Sequence, residues 1–254
     1  MKRLKRRRLD EHLVAEGHFA DLESAKLAVM AGRVVIEGEP PPKPGRLLTA
    51  TDRVHVKLPD RYVGRGGLKL EKALIEFSLD VGGRVALDIG SSTGGFTDCL
   101  LQHGAAFVHS CDVGRGLLAW RLRQDPRVIL HEGLNARETG TVRFSPAPDM
   151  AVGDVSFISL TKILPAVFDA LPGGSDAIFL IKPQFEAPRG ELPPGGVVTD
   201  AATRKRCVEK IAHFVSADGH RWLGAVESPI TGRDGNVEYL AHMQTRAAKR
   251  ILPR

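Results

Sequence analysis

The chain has 254 residues, 43% of them apolar, which supports one full core and a smaller second domain but not three ordinary ones. With 36 Lys and Arg against 30 Asp and Glu, its net charge of +6 favours a polyanionic partner over an acidic or neutral one. No stretch approaches the roughly 18 apolar residues of a membrane span, Asp10 and Glu11 stand where a signal peptide would need an apolar run, and Cys99, Cys111 and Cys207 offer no C-x-x-C spacing for a metal or redox site. A cytoplasmic protein with free thiols, no membrane partner and no metal is expected.

Lys2, Arg3, Lys5, Arg6, Arg7 and Arg8 open the chain as a basic run, readable as a phosphate-binding arm or as a solvated tail. Apolar spacing then predicts helices at Asp10 to Glu16 and Leu22 to Ala31, which stop at Gly17 and Gly32. Short strands are expected at Arg33 to Ile36 and Arg53 to Leu58. The proline-rich stretch 39–45 between them cannot pair as a central strand, because proline has no amide to donate. Residues 1–59 therefore read as a small α+β domain, 60–63 as a linker and 64–254 as the larger domain.

In the larger domain, strands alternate with helices, the pattern of a doubly wound α/β fold with a mostly parallel sheet. Strands are predicted at Val85 to Ile89, Phe107 to Asp112, Val128 to His131, Met150 to Asp154 and Ala177 to Lys182. A helix follows Gly66 and Gly67, and others are predicted at Phe96 to Gln102, Leu117 to Arg123, Leu160 to Ala170 and Thr203 to Ala217. His220 to Val226 and Val237 to Met243 read as a closing antiparallel hairpin at one edge of the sheet.

The strongest local signal is Asp88-Ile89-Gly90-Ser91-Ser92-Thr93-Gly94-Gly95-Phe96, a strand running through a glycine-rich turn into a helix. In such a fold this turn lies at the carboxyl ends of the strands, where backbone must approach a nucleotide closely. Asp112 ends the next strand, at the spacing from which a carboxylate reaches ribose hydroxyls. The turn is neither G-x-G-x-x-G nor a P-loop, since Phe96 follows Gly95. That disfavours nicotinamide cofactors and ATP and suits S-adenosylmethionine, which has no phosphate to seat.

Asp154 and Lys182 follow neighbouring strands, Lys69 lies in the helix after Gly67, and Glu238 lies in the closing hairpin. Taken singly, a lysine at the tip of an apolar strand reads as a snorkelling surface residue and an acid after a strand as a helix cap. Taken together, Gly66-Gly-Leu-Lys69, Asp88 to Phe96, Asp154-Val-Ser-Phe-Ile-Ser159, Lys182-Pro-Gln-Phe-Glu186 and Gly235-Asn-Val-Glu-Tyr239 resemble the TlyA family of rRNA 2′-O-methyltransferases, whose catalytic domain is related to FtsJ-type enzymes. The likeness spans almost the whole chain.

It implies a Rossmann-like methyltransferase domain preceded by an RNA-binding module similar to ribosomal protein S-four. It also implies methyl transfer from S-adenosylmethionine to a cytidine ribose of small- or large-subunit rRNA. The family's Lys-Asp-Lys-Glu set falls on Lys69, Asp154, Lys182 and Glu238, and its cofactor site on Asp88, Gly90 to Phe96, Asp112, Val113, Asn135 and Asp154. Lys182 acts there either as a general base or as a cation that stabilises the forming alkoxide.

Phosphate contacts are expected from Arg3, Lys5, Arg6, Arg7, Arg8, Lys26, Arg33, Lys43 and Arg65. Glu23-Ser24, Gly64 and Arg115 depart from the family pattern, which leaves individual RNA contacts and the cofactor's surroundings open. Rival readings are a non-catalytic ribosome-assembly factor, a small-molecule methyltransferase and a haemolysin. The first has no need of all four residues, the basic arm disfavours the second, and no span or long basic amphipathic helix supports the third.

Overall fold

The carboxylate of Asp21 accepts the Ser24 amide at 2.7 Å and so starts a helix whose Ala25, Ala28 and Val29 turn inward. This is α2 (Leu22–Met30), which follows α1 (Leu9–Ala15) in the computed structural model. The structure describes residues 7–57, 60–193 and 195–247, and the chain divides into two compact units, 1–60 and 61–254. In the first, α1 and α2 pack Leu9, Leu13, Ala25 and Val29 against Val34 and Ile36. β1 (Val34–Ile36) pairs antiparallel with β2 (Val54–Val56), and the proline-rich stretch between them is irregular. Leu58, expected to end the second strand, and Lys2, Arg3, Lys5 and Arg6 of the basic run lie outside the described residues.

The second unit runs α3 (Gly66–Glu76), β3 (Val85–Ile89), α4 (Gly95–Gln102), β4 (Phe107–Asp112), α5 (Trp120–Arg123), β5 (Val128–Glu132) and β6 (Met150–Gly153). It continues with α6 (Leu164–Asp169), β7 (Asp176–Ile181), α7 (Pro183–Glu186), α8 (Ala201–Ala217), β8 (Arg221–Glu227) and β9 (Tyr239–Gln244). The sheet order is β5-β4-β3-β6-β7-β9-β8. The first five strands are parallel, and β9 is antiparallel to both neighbours.

Alternation along the strands divides the core in two. Ala86, Val108, Val152 and Ile178 face Leu70, Leu74 and Leu100 of α3 and α4, while Leu87, Ile89, Ala151 and Phe179 face Leu164, Val167 and Ile211 of α6 and α8. The chain leaves β3 for β4 on one side and returns to β6 on the other, so the crevice at the carboxyl end of β3 is a topological switch point. The expected α/β fold with its closing hairpin is therefore formed.

Several expected elements differ in extent. The helix predicted at Leu117 to Arg123 is only α5, because Ala119 is extended at φ −56, ψ 139. The helix predicted at Leu160 to Ala170 breaks into a 3-10 turn at Leu160–Lys162 and α6, since Pro165 has no amide with which to continue the ladder. β9 begins at Tyr239, which leaves Val237 and Glu238 in the connection before it. Within the expected linker 60–63, Tyr62 is 2% exposed in the core of the second unit, and Val63 donates its amide to the Asp98 carboxylate at 2.8 Å.

Candidate active site

The loops after β3, β4, β6 and β7 meet at one edge of the sheet. Gly90, at φ +77, allows the first of these to turn sharply, and a Cβ there would stand 3.0 Å from the carbonyl oxygen of Asp154. Gly94 caps α4 in the left-handed region at φ 99. Asp112 is aimed by backbone, accepting the Ser92 amide at 2.8 Å and the Gly114 amide at 2.7 Å.

Four charged side chains form a chain of contacts beside this turn. Lys69, buried on α3, donates to Glu238 at 2.6 Å and reaches Asp154 at 3.5 Å. The other oxygen of Asp154 lies 2.6 Å from the Lys182 ammonium, which also donates to Ser156 at 2.8 Å. Two ammonium groups and two carboxylates thus neutralise one another in a largely buried set, the condition under which buried charge is tolerated. Glu238 reaches Lys69 because Gly232 has no side chain, as any Cβ there would overlap the carboxylate.

Two cavities flank the set. The larger, of about 380 Å³, is lined mostly by apolar atoms from Ile89, Val113, Leu117 and Leu134, with Asp112, Asn135 and Asp154 among its polar groups. The smaller, of about 230 Å³, is bordered by Arg65, Ser91, Thr93, Phe96, Asp154 and Lys182 at the starts of α3 and α4.

These features fit S-adenosylmethionine. The larger cavity has the size and apolar lining of a small-molecule site, and Asp112 retains lone pairs for ribose hydroxyls. Ser91 Oγ, at the smaller cavity, is buried without a hydrogen-bond partner among the described residues, and two helix N-termini meet there, which suits the carboxylate of the cofactor's amino-acid end.

Of the residues expected to bind cofactor, Gly90, Ser92, Asp112, Val113, Asn135 and Asp154 line the larger cavity, and Ser91, Thr93, Gly95 and Phe96 the smaller. Asp88 and Gly94 line neither. Asp88 is wholly buried beneath the turn and accepts the Thr97 hydroxyl at 2.6 Å, and burial pushes its carboxyl up to about 7.

Among the expected RNA contacts, Arg7, Lys26, Lys43 and Arg65 are exposed. Arg8 is exposed as well, with its guanidinium paired to Asp10 at 3.0 and 2.7 Å, and Arg33 lies over the ring of Phe19. Sequence reasoning passed over Ser156, Arg137, Phe157 and Gly232. Phe157 lines the larger cavity, is 90% exposed at φ 65, and its ring lies 5.3 Å from that of Phe185. Both Ser156 and Phe157 lie inside a segment that carried the family resemblance, which was the available signal.

Comparison with known proteins gives a consistent picture. Residues 62–245 match the family described as FtsJ-like methyltransferase. The 16S/23S rRNA (cytidine-2′-O)-methyltransferase TlyA of Mycobacterium tuberculosis is 40% identical over 97% of this chain and 93% of its own. Hemolysin A of Brachyspira hyodysenteriae is 41% identical over 92% of this chain and 98% of its own. A solved structure from Streptococcus thermophilus, provisionally named a hemolysin, superposes with a TM-score of 0.73 at 43% identity, covering 95% of this chain and 89% of that one.

Proposed function

The chain belongs to the FtsJ-like methyltransferase family, and on that premise we propose that it transfers the methyl group of S-adenosylmethionine to the 2′-hydroxyl of a cytidine in ribosomal RNA. The observation that carries this reading is the Glu238–Lys69–Asp154–Lys182 set, buried beside two cavities that fit the cofactor. The names of the TlyA relatives supply the cytidine and the ribosomal RNA.

When bound, the cofactor supplies a methyl group on a sulfonium, open to in-line attack by an oxygen. The protein's task is to place that oxygen and to ease the loss of its proton. Asp154 borders both cavities, so it is the carboxylate that orients the ribose hydroxyl. Lys182, 2.6 Å from Asp154, stands where its side chain stabilises negative charge as it forms on that oxygen, while the Asp154 carboxylate accepts the hydroxyl proton. Lys69 and Glu238 fix the far side of Asp154.

The N-terminal domain, 1–59, is the RNA-binding module in this reading, and 64–254 the catalytic domain. Exposed Arg7 and Lys43 of the module, and Arg65 of the catalytic domain at the smaller cavity, are phosphate contacts in this reading. Among the described residues, no helix is long and apolar enough to cross a membrane, and no group of three His, Cys, Asp or Glu is gathered to hold a metal ion.

The test is transfer of radiolabelled methyl to purified ribosomal subunits by the wild type and by Lys182→Ala. Label that blocks alkaline cleavage at one ribose, and falls about a hundredfold or more in the variant, is the expected result. Undiminished transfer by Lys182→Ala, or absence of label on either subunit while the cofactor still binds, overturns the reading.

A further inference from the structure

The turn after Lys182 contains a buried charge for which the transfer chemistry has no use. Glu186 ends the one-turn helix α7 and is 4% exposed. A carboxylate so placed needs partners, and they come from two directions. Ser159 donates its hydroxyl at 2.6 Å and Leu160 its amide at 2.7 Å. From α8, Lys210 donates to the carboxylate at 2.9 Å and to the Glu186 carbonyl at 2.8 Å.

Ser159 and Leu160 end the loop that Asp154 begins. The loop's first residue is fixed to the sheet, where the Asp154 amide donates to the Ile89 carbonyl at 3.1 Å. Its far end is fixed by Glu186. Between the two ties lie Ser156, which accepts from Lys182 at 2.8 Å, and Phe157, at φ 65. A residue with a side chain stays in the left-handed region only where its surroundings impose it.

We propose that Glu186 is a positioning residue for the methyl transfer: by tying Ser159 and Leu160 to the turn after Lys182, it holds Ser156 against the Lys182 ammonium. Lys210 balances the charge that this tie buries. The proposal rests on the transfer reading above and has Glu186 act through Ser156 and Lys182, without touching either substrate.

The full-length Glu186→Gln variant keeps the side chain's size but puts an amide NH2 where two donors converge. Its kcat on ribosomal subunits is expected to fall about tenfold or more, with KM for S-adenosylmethionine within about twofold of wild type. Ser156→Ala should cost a similar factor. Adding it to Glu186→Gln should cost little more, because both remove the same link.

Hydrogen–deuterium exchange of residues 155–160 should quicken about tenfold in Glu186→Gln, with β7 unchanged. If that variant does not fold, Ser159→Ala decides, since it removes one donor and leaves Lys210 in place; a severalfold loss of kcat at the wild-type melting temperature is expected. Full multiplication of the Glu186 and Ser156 effects, or wild-type exchange across 155–160, overturns the proposal. The exchange measurement needs no RNA, so a wild type that fails to methylate ribosomal subunits would sink the transfer reading separately.

Discussion

Lys182 touches one carboxylate and one hydroxyl, and those two contacts set what a substitution there does. If its charge is what matters, Lys182→Arg keeps a measurable part of the transfer rate while Lys182→Ala does not. Equal loss in both would point to the general-base role. Asp88 gives a prediction of another kind. Its folded carboxyl, at about 7 against 3.8 when free, holds a proton between those values that the unfolded chain has lost. Stability therefore declines as pH rises through that window and levels off above it. Asp88→Asn removes the decline, so its melting temperature should gain on wild type more at pH 8 than at pH 5. An offset equal at both would show that Asp88 is not protonated in the fold.

At the scale of elements, the two ends of the sheet have separate duties. The carboxyl ends carry the site, while at the amino ends Arg84, just before β3, donates to Asp149 at 3.0 Å and to Asp176 at the start of β7 at 2.9 Å. His242 on β9 lies 2.9 Å from the other oxygen of Asp176. Burial alone would raise the Asp176 carboxyl, but the hydrogen bonds of Arg84 and His242 outweigh it and hold it below its usual range. Arg84→Met should cost about 1–3 kcal/mol and several degrees of melting temperature, with kcat of the folded protein unchanged. A loss of kcat at full occupancy of the folded state would contradict that separation. Elements were legible wherever one periodicity ruled, as in β3, α4 and β4, where apolar alternation runs into the glycine turn. They differ where a local feature overrides periodicity, as Pro165 does between the 3-10 turn and α6 and as the Ala119 amide does before α5 by donating to the Thr93 carbonyl at 3.1 Å.

For the whole molecule, charge is the property that a ribosomal substrate would feel. If several phosphates are gripped by the exposed cations, log affinity for rRNA falls linearly with log salt at a slope of about −0.9 per phosphate held in duplex, whereas cofactor affinity changes little. A flat salt dependence of RNA binding would argue against Arg7, Lys43 and Arg65 as phosphate contacts. Lys69, Asp154, Lys182 and Glu238 could be singled out from sequence, but through their surrounding segments rather than through any spacing among them. Periodicity describes neighbours along the chain, and it is silent on the contacts that Ser156 and Glu186 make with residues 26 positions away.

β9 follows β8 in the chain yet lies inside the sheet, between β7 and β8, and Glu238 just before it meets Lys69 across 169 positions. During synthesis, β3 to β7 and their glycine turn leave the exit tunnel well before that carboxylate does. Until Glu238 emerges, Lys69 faces Asp154 without its closest partner. A chain synthesised only as far as β7 thus lacks the complete charged set, and methyl transfer to RNA is expected only once Glu238 and β9 have joined the sheet.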